Sequence, residues 1–165
     1  MHVYTMKGML VYEITDVFSK KKIPFAIVGG LALAFHGIVR NTADVDLVIS
    51  LTAPQLEKAE QALKEIGLQS RIPVRAKDIA AFREEYIRDR SLITWSFVDF
   101  NNPLRQVDIL IHMSLEDLPQ QTIKVGGVRI PVATLQALAE MKQAAGRPQD
   151  LVDLEKIYEK IKSTK

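Results

Sequence analysis

Cysteine is missing from this sequence of 165 residues. Its absence excludes disulfide bonds, thiolate-bound zinc sites and cysteine nucleophiles, and it is compatible with a cytoplasmic protein. Neither sign of charge dominates, because 22 Lys and Arg residues stand against 20 Asp and Glu residues, a formal net charge of +2. This balance does not favour the clustered basic surface that generic nucleic-acid-binding modules carry.

Long apolar runs are missing as well. No stretch approaches the roughly 20 apolar residues of a membrane-spanning helix, so no membrane partner is expected. Residues 1–22 contain no apolar core followed by a small-residue cleavage site, and we therefore expect no signal peptide and a cytoplasmic location. Hydrophobic residues make up 47% of the chain and charged residues 25%, a composition typical of a globular domain.

The order of the predicted elements indicates an α+β fold. Apolar residues at helical spacing predict helices over residues 6–21, 31–35, 54–66, 77–90, 133–145 and 149–162. Short apolar or β-branched runs predict strands over residues 25–28, 45–49, 91–100, 107–111, 122–125 and 128–131. No element is predicted over residues 68–76. Because the later strands are spaced as hairpins, we expect a mixed β-sheet with helices packed on one face.

We expect the chain to form a single domain. Its catalytic core would span about residues 1–113, and a hairpin with C-terminal helices would span about residues 114–165.

Three aspartates, Asp44, Asp46 and Asp108, are distinguished by their placement. Asp44 and Asp46 begin a predicted strand, and alternate residues of a strand point to the same face, so their carboxylates can converge. Asp108 lies in the otherwise apolar segment 107–111, where an ionised carboxylate is costly unless it is paired, hydrogen-bonded or bound to metal. Carboxylate oxygens favour Mg²⁺ or Mn²⁺, and three carboxylates can hold two such ions around a phosphoryl transfer.

A structural role is the alternative for these aspartates. Asp46 or Asp108 would then cap a turn or form an ion pair with Arg40 or Arg105. A lone Asp-x-Asp pattern favours the structural interpretation. With a third aspartate in a second apolar strand, a structural role and a metal site become about equally favoured.

Gly29 and Gly30 lie where a predicted strand meets a predicted helix. Glycine lets backbone N–H groups approach a phosphate closely, and the start of a helix favours anions. A Gly-Gly pair is more often only a tight turn, which is what we expect of Gly126 and Gly127.

In combination, these residues resemble the signature of the nucleotidyltransferase superfamily, which has the DNA polymerase β-like fold. Residues 28–47 contain Gly-Gly-x-Ala and then Arg-x-Thr-x-Asp-x-Asp, similar to the small bacterial branch that includes the AbiEii-type toxin nucleotidyltransferases. Asp108 matches the third acidic residue of the superfamily, and residues 140–154 resemble the branch's C-terminal Lys…Arg-x-x-Asp segment. The resemblance covers residues 24–50, 105–112 and 131–155, with only the order of elements matching over 51–104.

The resemblance implies an enzyme that moves a nucleoside monophosphate (NMP) from a nucleoside triphosphate (NTP) to an unidentified acceptor. Asp44, Asp46 and Asp108 would be its catalytic residues and its ligands for Mg²⁺ or Mn²⁺, and Asp108 would also activate the acceptor hydroxyl. The residues implied in nucleotide binding are Gly29, Gly30, Arg40, Thr42 and Lys142. The acceptor would be tRNA or another RNA, a protein or a small molecule, and a toxin would have an antitoxin partner.

Two other functions stay open at this stage. A catalytically weak member of the fold would act as a regulatory or interaction subunit, although the three intact aspartates count against it. A generic nucleic-acid-binding module is disfavoured by the near-neutral charge.

The remaining polar and aromatic residues of note are interpreted as structural. Asp150 is expected to cap the last helix or to pair with Arg147 or Lys142. The others expected to serve packing are His36, His112, Trp95 and Phe97.

Overall fold

Seven strands form one mixed sheet in the computed structural model, which describes residues 9–164. The strands are β1 (Phe25–Val28), β2 (Val45–Ile49), β3 (Gln69–Ser70), β4 (Thr94–Asp99), β5 (Asn102–Leu110), β6 (Gln120–Val125) and β7 (Val128–Ala133). Their order across the sheet is β3-β4-β5-β2-β1-β7-β6. The β1–β7 and β2–β5 pairs are parallel, and the other neighbours are antiparallel. The predicted α+β class with a mixed sheet is therefore confirmed.

Six helices pack with this sheet in the described part of the chain. They are α1 (Leu10–Lys20), α2 (Gly29–Phe35), α3 (Ala53–Glu65), α4 (Ala76–Arg90), α5 (Leu135–Ala145) and α6 (Pro148–Ser163). The predicted start of the first helix at residues 6–8 lies outside the described residues. Over residues 9–164, no helix has an apolar stretch long enough to cross a bilayer.

Local chemistry accounts for several helix ends. The Thr52 hydroxyl accepts a hydrogen bond from the backbone of Gln55 at 3.4 Å and begins α3, and Thr134 begins α5 in the same way. Gly146, with a φ of +63°, ends α5 in the left-handed conformation that glycine tolerates best.

The centre of the sheet is fully buried. All four residues of β1 are at most 4% exposed, and successive residues of a strand point to opposite faces, so the sheet is covered on both faces at this strand. Phe25 meets Phe18 of α1 edge to face, with ring centroids 5.4 Å apart. Burial of this strand fixes the position of the loop and helix that follow it.

The hairpin of β6 and β7 extends the same sheet. Ile27 of β1 pairs with Val132 of β7, and Gly126 and Gly127 turn the hairpin with φ values of +55° and +83°. The prediction that this glycine pair forms a hairpin turn is confirmed. Because α2 contacts α5, the C-terminal helices lie beside the junction of β1 and α2.

Several elements differ from the predicted ones. Helix α2 begins at Gly29 instead of residue 31, so both glycines belong to its first turn. Strand β5 begins at Asn102, next to a two-residue turn, because Asn102 pairs across the hairpin with Asp99 of β4. Strand β3 has two residues, too few to leave a periodic pattern in the sequence.

Candidate active site

Asp46 and Asp108 lie side by side on adjacent parallel strands. The register of β2 and β5 pairs them directly, so both half-buried side chains leave the same face of the sheet. Burial, the nearby charges of Asp108 and Asp44, and a hydrogen bond between the Asp46 and Asp108 carboxyl groups raise the pKa of Asp46 to about 7, against an opposing effect of Lys142. This carboxyl pair therefore retains a proton close to neutral pH when no cation is bound.

Asp44 acts on this pair through its charge. It lies two residues before Asp46, just ahead of β2, and burial followed by the charge of Asp108 raises its pKa, whereas Arg71 lowers it. Over residues 9–164, no three His, Cys, Asp or Glu side chains are gathered tightly enough to form a ready metal cage. The structure thus brings two of the three predicted aspartates into contact and the third into electrostatic range.

Asp108 is held by two further side chains. The Ser96 hydroxyl donates a hydrogen bond to its Oδ1 at 2.6 Å, and Gln106 Nε2 donates to Oδ1 at 3.0 Å and to Oδ2 at 3.3 Å. Arg71 Nη2 in turn donates to Gln106 Oε1 at 2.5 Å. Sequence patterns did not predict Ser96, Gln106 or Arg71 as residues of the site. A local signal existed only for Gln106, a polar residue two positions before Asp108 on the same strand face.

The two glycines that follow β1 lie against the predicted site residues. A Cβ placed on Gly29 would fall 2.1 Å from Asp46 Oδ2, and the φ of Gly29 is +71°, so the Asp46 carboxylate occupies the space that a side chain would need. A Cβ on Gly30 would lie 3.1 Å from Arg40 Cγ and 3.2 Å from Thr42 Cβ. The loop before β2 therefore folds back over the glycines and places Arg40 and Thr42 next to them.

Lys142 approaches the site from α5 and is anchored by two buried aspartates of α6. Its Nζ lies 3.2 Å from Asp150 Oδ1 and 3.0 Å from Asp153 Oδ2, and these aspartates are 1% and 0% exposed. Arg40 Nη2 lies 3.7 Å from the same Asp153 Oδ2. The Asp153 carboxylate thus lies against both Lys142 and Arg40, two of the residues that the family resemblance implies in nucleotide binding.

The predicted structural role of Asp150 is confirmed. It accepts a hydrogen bond from the backbone N–H of Arg147 at 3.1 Å, which caps α6, and another from Arg147 Nε at 2.7 Å. The hydrogen bond from Arg147 chiefly holds the pKa of Asp150 at about 2, with help from Lys142 and against the effect of burial.

The ion pairs of the structural alternative do not form in the described residues. Arg105 pairs with Glu13 and Asp99, and it also donates to the carbonyl of Ile66 at 2.7 Å. Arg40 pairs with Asp153. Neither arginine neutralises Asp46 or Asp108.

Three other residues of note serve packing, as expected, whereas the His112 side chain is exposed. His36 Nε2 lies 2.8 Å from the Ala133 carbonyl oxygen and fastens α2 to β7. Trp95 and Phe97 are fully buried, with ring centroids 4.6 Å apart. His112 lies 3.4 Å from the Ile93 carbonyl oxygen.

Asp44, Asp46 and Asp108 do not line the open cavity between α3, β3 and the start of α4. That open cavity measures about 580 Å³, and its lining includes Leu68, Val74 and Phe97 but none of the predicted site residues. The chemistry of the carboxylates, and not the size of a cavity, identifies the candidate site.

Comparison with known proteins identifies the family of the chain. The family model described as nucleotidyl transferase AbiEii toxin, type IV toxin–antitoxin system, matches residues 13–164. No curated protein matches the chain in sequence.

Solved structures share the fold at low sequence identity. The antibiotic-resistance factor ANT(2'')-Ia superposes with a TM-score of 0.62 and 13% identity, covering 96% of this chain and 89% of that one. The lincosamide antibiotic adenylyltransferase LnuA, in its lincomycin-bound form, gives a TM-score of 0.62 and 13% identity over 92% of this chain and 96% of that one. A Thermotoga maritima protein assigned as a nucleotidyltransferase gives 0.59 and 14% identity over 89% of each chain. These likenesses show a nucleotidyltransferase fold.

Proposed function

The chain belongs to the AbiEii nucleotidyl transferase toxin family and is a nucleotidyltransferase, and from this premise we propose that it transfers an NMP from an NTP to an acceptor hydroxyl with Mg²⁺ or Mn²⁺ held by Asp44, Asp46 and Asp108. The observation that carries the proposal is the pairing of Asp46 with Asp108 across two parallel strands, with Gly29 against the Asp46 carboxylate.

The carboxylates fit a hard divalent cation. Their oxygens are the ligands that Mg²⁺ and Mn²⁺ prefer. Burial and like charge raise the pKa of Asp46 to about 7, and a cation would offset both effects in place of the retained proton. When bound, the metal supplies charge neutralisation at the phosphates and acidity at the attacking hydroxyl.

The neighbouring residues would bind the triphosphate. Because Gly29 and Gly30 lack side chains, Asp46, Arg40 and Thr42 pack directly against the backbone there, and phosphate oxygens held by these residues would lie close to that backbone. Arg40 and Thr42 lie across Gly30 and would contact phosphate oxygens. Lys142, already close enough to influence the pKa of Asp46, would stabilise the charge of the leaving pyrophosphate.

The reaction balances with these groups alone as its protein partners. Asp108 would take the proton of the acceptor hydroxyl, whose oxygen forms a bond to the α-phosphorus. The bond from the α-phosphorus to the oxygen bridging to the β-phosphorus would break, and pyrophosphate would leave beside Lys142.

We further propose that the acceptor is a molecule of the cell itself, such as tRNA or another RNA, a protein or a small metabolite. ANT(2'')-Ia has been solved with adenylyl-2''-tobramycin, and LnuA with lincomycin. An antibiotic acceptor is not carried over to this chain, because those likenesses are of fold only. The toxin family instead favours a cellular target and an antitoxin partner in the cytoplasm.

The test is labelling by each of the four NTPs, radioactive at the α-phosphate. The purified protein is incubated with Mg²⁺ and with separated RNA, protein and small-molecule fractions of a cell extract. We expect label in one fraction and matching release of pyrophosphate, and neither with Asp46→Asn. Tight NTP binding without label in any fraction would favour an interaction subunit and contradict the proposed reaction.

A further inference from the structure

Asp108 receives its hydrogen bonds from two different strands. Ser96 of β4 is its partner in the strand register and donates to Oδ1 at 2.6 Å. Gln106, two residues earlier on β5, lies on the same face and reaches both carboxylate oxygens. Asp46 borders it on the third side, on β2. The carboxylate is therefore flanked by three neighbouring side chains on the same face of the sheet.

From this geometry we propose that Ser96 and Gln106 are positioning residues that hold the Asp108 carboxylate in one orientation for the metal and the acceptor, and that Arg71 fixes Gln106 in turn. The inference rests on the proposed function, since it assigns to Asp108 the role given there.

The hydrogen-bond distances favour one particular oxygen for the chemistry. Of the bonds from these two residues, Oδ1 accepts the two shorter ones, at 2.6 Å from Ser96 and 3.0 Å from Gln106, while Oδ2 accepts only the 3.3 Å bond from Gln106. A carboxylate oxygen has two lone pairs, so Oδ1 is occupied by protein donors and Oδ2 keeps most of its accepting capacity.

Glutamine is the residue type that this position requires. Its Oε1 accepts from the Arg71 guanidinium at 2.5 Å, and its Nε2 donates to Asp108. The donor at one end and the acceptor at the other fix the orientation of the amide, because Arg can only donate and an ionised Asp can only accept. The backbone N–H of Arg71 also donates to the Ser96 carbonyl at 2.9 Å, which ties the Arg71 segment to the strand that carries Ser96.

The experiment compares paired variants by their affinity for Mn²⁺. Ser96→Ala removes one donor and Ser96→Thr keeps it, and a strand accepts threonine readily. Gln106→Met removes the amide at similar length, and Gln106→Glu replaces the donor with a second carboxylate. Gln121→Met, on the exposed strand β6, is the matched control.

Free Mn²⁺ is measured by electron paramagnetic resonance with a non-hydrolysable NTP analogue present, and the melting temperature is recorded for every variant. We expect Ser96→Ala and Gln106→Met to weaken Mn²⁺ binding by roughly 10-fold or more, as loss of a ligand's supporting hydrogen bond does. Gln106→Glu should weaken NMP transfer by a similar factor. Ser96→Thr should restore wild-type affinity, and Gln121→Met should keep it.

Each outcome decides for or against the inference. Wild-type Mn²⁺ affinity in Ser96→Ala and Gln106→Met would overturn it while leaving the proposed function intact. Failure of Ser96→Thr to restore affinity, with a melting temperature as low as that of Ser96→Ala, would overturn it in favour of a packing role. If the Gln106 variants do not fold, the Ser96 pair decides alone. A wild-type protein that neither binds Mn²⁺ with nucleotide nor transfers NMP would instead contradict the proposed function.

Discussion

Two pairs of aspartates in this molecule lie in opposite electrostatic environments. Asp46 and Asp108 face each other on neighbouring strands, and like charge and burial raise the pKa of Asp46 to about 7. Asp150 and Asp153, on α6, are more deeply buried yet lie against cations, and hydrogen bonds hold the pKa of Asp150 at about 2. A carboxylate whose charge is left uncompensated in a fold is available to a ligand, whereas a compensated one stabilises the fold.

Lys142 connects the two pairs. Its ammonium group forms ion pairs with Asp150 and Asp153 and also lowers the pKa of Asp46. Asp150 and Asp153 thus hold the Lys142 ammonium group at the edge of the Asp46–Asp108 site, where the two carboxylates have no cation partner in the described residues. Loss of Asp46 or Asp108 should accordingly reduce activity, whereas loss of Asp150 or Asp153 should reduce stability.

The largest expected effect is that of Asp46→Asn on activity. The substitution keeps the shape of the side chain but removes the charge that would hold the metal, so NMP transfer should fall below detection. Stability should stay the same or rise, because the repulsion from Asp108 and Asp44 is relieved. Labelled transfer and the melting temperature are measured on the same preparation.

A contrary result for Asp46→Asn would support a structural role for this residue. In that case the melting temperature would fall together with transfer, although no cation forms an ion pair with Asp46 in the described residues. Transfer at the wild-type rate would remove Asp46 from the set of metal ligands.

Asp153→Asn should destabilise the fold and affect binding only secondarily. Asp153 is 0% exposed and lies within 3.0 Å of Lys142 Nζ and 3.7 Å of Arg40 Nη2, so both cations lose a buried partner. We expect a loss of about 3 kcal/mol in the free energy of unfolding, at the lower end for a broken buried pair because Lys142 keeps Asp150. Urea denaturation measures the loss.

The control for Asp153→Asn is Asp16→Asn, which breaks an exposed pair with Lys20 on α1. That change should stay within about 0.5 kcal/mol of the wild type. Equal stability losses in the two variants would remove the distinction between the buried pair and an ordinary surface contact.

The pH dependence of stability should have opposite signs for the two pairs. The folded pKa of Asp46, at about 7, lies above its ordinary value of 3.8, so the metal-free protein should lose stability as pH rises from about 4 to 7. The folded pKa of Asp150, at about 2, lies below 3.8, so its contribution is present above about pH 4 and is lost as pH falls towards 2. With Arg147 solvent-exposed, that contribution should be roughly 1–2 kcal/mol.

Melting temperatures across pH in the presence of EDTA test both signs. Asp46→Asn should flatten the curve between pH 4 and 7, in the window set by the pKa of Asp46. An unchanged slope in that variant would assign the dependence to another group.

The last comparison is between one glycine of each Gly-Gly pair. Gly127→Ala should cost about 1 kcal/mol for the positive φ alone, because no atom lies within 4 Å of the added Cβ. Gly29→Ala carries the same backbone cost and also places its Cβ 2.1 Å from Asp46 Oδ2, so it should abolish metal-dependent NTP binding as well. Calorimetry with NTP and Mg²⁺ separates the two, and equal NTP affinity in both variants would argue against a phosphate site at Gly29.

Local sequence patterns predicted much of this molecule correctly. The α+β class, the mixed sheet, most of the helices and strands, and the Gly126–Gly127 turn follow from periodicity and turn chemistry, which act over a few residues. The sequence also predicted that Asp44 and Asp46 lie at the start of one apolar strand and Asp108 within another. A charged residue in an apolar strand can be recognised without knowledge of its spatial neighbours.

Only the tertiary structure decided how these segments meet. The contacts of Asp108 with Ser96, and of Gln106 with Arg71, join residues 12 and 35 positions apart, and the register of β4, β5 and the edge strand β3 creates them. The buried cluster around Asp153 depends likewise on the docking of α6 against α5 and the loop of Arg40. Propensity and periodicity are local properties of the chain, whereas register and burial are set by the packing of distant segments, and that packing determines which aspartates are neutralised and which remain without a cation partner.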